Sequence, residues 1–104
     1  MAEAGPDWKP CRAIVSHDDG RPDVEDDTAE FEIAGGRLLL VYFDERGAII
    51  FEGREASDGR FDLLARSRPR KARVTLRGAV LEGRWHEGDD TGSMRIELSG
   101  WEVA

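Results

Sequence analysis

Apolar and polar residues alternate along most of this chain, and glycine-containing turns break the alternation at short intervals. A period of two puts every second side chain on one face of an extended strand. A helix needs apolar residues recurring three and four apart, and no stretch here has them. The alternation predicts strands near residues 11–17, 29–33, 37–43, 48–56, 60–67, 71–77, 79–86 and 93–99. Between them lie Gly35-Gly36, the stretch 44–47, Asp58-Gly59, Arg68-Pro69, Arg77-Gly78 and the stretch 87–92, all rich in turn formers. No connection is long enough for a crossover helix, so neighbours in sequence become neighbours in the sheet. The predicted fold is all-β, an antiparallel meander of about eight short strands forming a small barrel or strongly curled sheet. Residues 1–104 make one domain, with 1–10 irregular and 18–28 an acidic loop.

The C-terminal half splits cleanly by face. With Arg77-Gly78 as the turn, Leu76 opposes Ala79, Val74 opposes Leu81 and Ala72 opposes Gly83. One face then carries Ala72, Val74, Leu76, Ala79, Leu81, Gly83 and Trp85, and the other Arg73, Thr75, Val80, Glu82, Arg84 and His86. The last strand adds Met94, Ile96 and Leu98 inside, with Arg95 and Glu97 outside. Charge favours a register that sets Arg84 opposite Glu97 over one that sets Arg84 opposite Arg95.

The central hairpins are apolar on both faces. One face holds Leu39, Val41, Phe43, Ala48, Ile50, Ala56, Phe61, Leu63 and Ala65, and the other Leu38, Leu40, Tyr42, Ile49, Phe51 and Leu64. The first is longer and is assigned to the core, although Glu52 and Arg54 interrupt it. The second is then surplus and needs a cover. The candidates are a protein partner, a second copy of the chain in a homodimer, or residues 1–33 with Trp8, Ile14, Phe31 and Ile33.

Charge narrows the partners. The formal net charge is −7, and residues 1–36 carry 10 acids against 3 bases while 37–104 are balanced at 12 each. A net-acidic protein repels phosphate backbones at long range, so nucleic acid is not the expected partner. The longest uncharged apolar run, 38–43, is six residues and too short to span a membrane as a helix. The acidic start shows no signal-peptide pattern, and a lone cysteine, Cys11, forms no internal disulfide. Both fit a cytoplasmic protein.

Gly83-Arg84-Trp85, with Leu81 before it and a glycine-rich turn after it, resembles the Gly-x-Trp strand of small lipocalin-like and avidin-like meander barrels. The resemblance covers about residues 72–100. It implies a barrel whose tryptophan packs across one end, and small apolar ligands such as those barrels hold.

Chemistry-bearing clusters are few. His17 with Asp18 and Asp19, and His86 with Glu87, Asp89 and Asp90, would offer metal ligands or a general base only if their loops met. Neither makes a complete zinc set, and the stretch 18–25 has its glycine at the wrong offset for a calcium loop. Arg66, Arg68, Arg70 and Lys71 are the candidate basic contacts, in a cluster that runs on to Arg73 and Arg77 without an interleaved aromatic. No nucleophile elbow, P-loop or dinucleotide fingerprint occurs. The expectation is a small non-enzymatic binding module without cofactor or metal, acting through an apolar sheet face. The alternative is a carrier holding a small apolar ligand inside the barrel, and a hydrolase or metal enzyme using His17 and His86 stands last.

Overall fold

A computed structural model describes residues 8–66 and 68–98. Eight strands follow one another as β1 (Lys9–His17), β2 (Val24–Ala34), β3 (Arg37–Asp44), β4 (Gly47–Ser57), β5 (Arg60–Ala65), β6 (Arg70–Arg77), β7 (Val80–Glu87) and β8 (Asp90–Leu98). Each pairs antiparallel with the next, and β8 pairs back onto β1 to close a barrel. Two-residue turns make most of the joints. At Gly35-Gly36 both residues have positive φ, 59° and 76°, the conformation that lets a tight turn follow the right-handed strand twist.

Two joints differ from the sequence expectation. The β6–β7 turn is Gly78-Ala79, so Leu76 faces Leu81 and Val74 faces Gly83. That slip is an even number of residues, and the predicted faces survive it. The β7–β8 pairing also slips by two, but in the opposite direction to the Arg84–Glu97 register that charge favours. Glu87 opposes Asp90 across Gly88-Asp89, which sets Glu82 opposite Arg95, with their side chains 2.7 Å apart. The same opposite-charge logic operates through a different pair.

The two N-terminal strands start earlier than predicted. Lys9 and Pro10 already pair in β1, and Val24 to Thr28 belong to β2, leaving only 18–23 as a loop. Asp26 is why an acid tolerates this strand. Its carboxylate accepts from the Thr28 amide (2.8 Å), the Thr28 hydroxyl (2.6 Å) and the Phe43 amide (2.8 Å). The β2–β3 ladder ends at Glu30 and Val41, so Asp26 supplies the Phe43 amide with an acceptor. Burial acts to raise this carboxyl, and the three hydrogen bonds outweigh it, so the net direction is down.

The core is the barrel interior, and its central wall is the reverse of the sequence assignment. Leu38, Leu40, Tyr42, Ile49 and Phe51 are 0% exposed. Leu39, Val41, Phe43, Ala48 and Ile50 point outward. The cause is a β-bulge between Glu55 and Ser57. Asp58-Gly59 does make the predicted two-residue turn, but Ala56 is skipped in the ladder and Glu55 opposes Phe61. One skipped residue exchanges the faces of the strand before it. Phe61 and Leu63 are inside as expected, and Phe51, not Ile50, shares their side.

Three interior glycines let the wall bend. A Cβ at Gly53 would lie 1.9 Å from the Asp62 carbonyl oxygen, one at Gly83 1.8 Å from that of Arg73, and one at Gly92 1.8 Å from that of Ser16. Only glycine allows backbones to approach this closely. Trp85, Tyr42, Phe31 and Phe51 are the largest of the fully buried side chains that fill the interior.

Candidate functional site

The end of the barrel bearing the 18–23 and 88–89 loops is plugged by a buried polar cluster around Trp85. Its indole donates to the Ser16 carbonyl at 3.0 Å, and Gly92 gives the ring room. His17 meets the ring edge-on with centroids 5.4 Å apart. The Arg70 guanidinium lies 4.2 Å from the Trp85 ring centroid and donates to Glu87 (2.9 Å) and the Tyr42 hydroxyl (3.0 Å). Burial pushes the Tyr42 phenol up, with Arg70 opposing. Beside them Arg68 grips Asp44 through two hydrogen bonds of 2.9 and 2.7 Å. Burial raises the Asp44 carboxyl, but the bonds from Arg68 and the Arg46 amide prevail and hold it below its usual range.

The candidate basic contacts are thereby divided. Arg68 and Arg70 are structural members of the plug. Arg66 is exposed and holds Glu52, which Arg37 holds from the other side. Lys71 stands on the outer wall, with no ion pair or hydrogen bond from its ammonium among the described residues.

The loops carrying the two histidine clusters do meet. The Asp18 amide donates to the Thr91 carbonyl at 3.0 Å, and Asp18, Asp19, Asp89 and Asp90 line a shallow recess. Three of these four acids are already engaged. Arg84 and the Thr91 hydroxyl hold Asp18, while Arg21 holds Asp19 and reaches Asp90 at 3.3 Å. These hydrogen bonds lower the Asp18 carboxyl, that from Arg84 most. His86 points outward from β7, away from His17. No group of three or more His, Cys, Asp or Glu among the described residues is arranged to hold a metal ion.

Cys11 faces the interior at 2% exposure. Burial, reinforced by the nearby charges of Asp26 and Glu30, pushes its thiol up to about 12, so it stays protonated.

Of the six candidate contact residues, five are interior. Leu38, Leu40, Tyr42, Ile49 and Phe51 are sealed by closure of the barrel, to which β1 and β2 contribute Val15 and Phe31, so a protein partner cannot reach them. The sixth, Leu64, is outside and 57% exposed. It shares the outer surface of β3–β5 with Phe43, 51% exposed, and with half-buried Leu39, Val41 and Ile50. The surplus apolar face exists, but it is the other one. Its signal was in the sequence: Glu52 and Arg54 fall on the same side as Leu39, Val41 and Ile50, and charges mark the solvent face.

A second outer feature lies next to it. The surface of β5–β8 forms a trough of about 1050 Å³, with Leu64 at its edge and Arg60, Lys71, Arg73 and Arg84 against Asp62 and Glu82 among its lining residues. No family model, no curated protein and no solved structure matches this chain.

Proposed function

We propose that this chain is a non-enzymatic protein-binding module whose contact surface is the outer wall of β3–β5. The observation that carries the reading is the exposure of Phe43, at 51%, beside half-buried Val41, Ile50 and Leu39 on this wall, with Leu64, at 57%, one strand further on across Glu52. Large apolar side chains grouped on a sheet surface lose water favourably when a partner covers them, at roughly 25 cal/mol per Å² of area removed. The partner is another polypeptide or a second copy of the chain. The carrier alternative draws less support, because Trp85, Tyr42, Phe31 and Phe51 occupy the interior where a ligand would sit. A lone cysteine, Cys11, which leaves no internal disulfide to form, fits work in the cytoplasm.

A photo-crosslinking amino acid in place of Phe43 or Leu64 tests this in the cell of origin. We expect covalent protein adducts from both positions and none above background from position 12, exposed on β1 and outside this surface. The adduct's mass separates a self-contact from a different partner. No adduct from either position overturns the reading.

A further inference from the structure

We infer that the trough on β5–β8 binds an extended acidic segment of the protein partner, with carboxylates at alternate positions. The inference deepens the protein-binding reading by naming the partner's chemistry, and rests on it. It starts from charge. The whole chain is at −7, yet four cations and two carboxylates stand along this trough. Two of the four, Arg60 and Lys71, have no ion-pair partner among the described residues.

Register then arranges the rest. Lys71 opposes His86, and Arg73 opposes Arg84, across β6 and β7. Like charges directly opposite repel, and here each arginine is drawn off to its own side. Arg73 bonds Asp62 on β5 at 2.7 Å, and Arg84 bonds Asp18 and Ser93 toward β8. The middle of the trough is left open between two guanidinium groups. Lys71 and Arg73 are two residues apart on one strand, so their side chains leave the sheet roughly 7 Å apart. An extended peptide presents its own alternate side chains at the same spacing, and carboxylates at every second residue would meet Lys71 and join Asp62 at Arg73. A compact anion such as one phosphate cannot touch the whole row, which selects a peptide over a small ion. Leu64, 57% exposed, lies at the trough edge on the side of the apolar wall, so an apolar residue flanking the acidic stretch has a seat there.

The probe is a fluorescein-labelled decapeptide alternating glutamate with serine and ending in phenylalanine, followed by anisotropy and by amide shifts in nuclear magnetic resonance. A lysine–serine peptide of the same length is the control. We expect saturable binding of the acidic peptide only, weakening as salt is raised, with shifts confined to β5–β8. Lys71→Glu removes no contact of the fold and should weaken binding at least about tenfold. Arg60→Glu is the second variant, should the first disturb the wall. The inference is overturned by no saturable binding at millimolar peptide, by shifts elsewhere on the barrel, or by affinity unchanged in both variants. If it fails while positions 43 and 64 still crosslink a protein, the apolar contact surface stands without the acidic one. If the crosslinks fail as well, both readings go.

Discussion

Arg70 shows how one residue can bind a barrel end together. It is 5% exposed, yet its guanidinium has a ring face, a carboxylate and a phenol as partners. Truncating it would leave Tyr42 without that donor and Glu87 with only the longer 3.6 Å pair to Arg46, and poorly compensated buried charge is costly. Arg70→Ala should therefore lose about 3–5 kcal/mol in urea unfolding. Arg70→Lys should recover only part, because an ammonium cannot lie flat on the indole while serving two acceptors. Full recovery by lysine would mean that charge alone matters there. The aspartates set an acid limit by the same local physics. Asp26 and Asp44 have carboxyls held below their usual range in the fold. Their stabilisation is fully present above the unfolded value of about 3.9 and fades as pH falls through the lower folded values. Stability should accordingly drop below about pH 4, and Asp44→Asn should flatten that drop in part by removing one of the buried contributors. An unchanged acid profile in Asp44→Asn would deny Asp44 this role. At Cys11 the prediction is kinetic. A protonated interior thiol should react with iodoacetamide at neutral pH only as fast as the barrel unfolds. Labelling that outruns unfolding would place the thiol within reach of solvent.

At the scale of elements, the glycines that bend the wall make the sharpest claim. A methyl group at Gly53 would sit 1.9 Å from a carbonyl oxygen of β5, and backbone does not yield as a side-chain tip does. Gly53→Ala should cost at least about 1–3 kcal/mol, the range for forced overpacking. A Cβ at Gly20 has open space, though φ there is +88°, so Gly20→Ala should cost less. Equal urea midpoints for the two variants would remove Gly53 from the account. What was legible in the sequence divides at this scale. The strands and most turns could be read, because alternation and glycine act locally. Trp85, Leu81 and Ile96 were placed inside correctly because their hairpin turns slipped only by even numbers. The bulge at Ala56 could not be read from alternation, since its pairing depends on how β4 curves against β5. That one residue reversed the faces of β3 and β4, and with them the candidate contact surface. The charges at Glu52 and Arg54 contradicted the longer apolar face and outweighed its length as a criterion. Arg68 and Arg70 were grouped with Lys71 by sequence proximity, and only the closed barrel end separates their roles.

At the scale of the molecule, closure governs behaviour. An open meander would expose unpaired backbone along β1 and β8, a template for aggregation that proteins must otherwise block. Here β1 and β8 pair continuously from Cys11 with Leu98 to His17 with Gly92. The seam is sealed on the inside by Ala13, Val15, Met94 and Ile96, each no more than 2% exposed. It therefore has the same kind of protection as the central hairpin, a full ladder over buried side chains. Chain order makes this the longest-range pairing in the fold, so it repays the greatest loop-closure entropy. If closure is integral to stability, the seam should not open without the rest. Native-state hydrogen exchange reads this directly. The bonded amides of β1 and β8 should exchange with opening free energies within about 1.4 kcal/mol, a tenfold rate difference, of those in β3 and β4. Both sets should fall together as urea is added. Seam amides exchanging orders of magnitude faster, with no urea dependence, would mean that β1 and β8 part locally. The molecule would then be a curled sheet with two usable edges, and an edge-pairing partner would rival the apolar wall as its mode of binding.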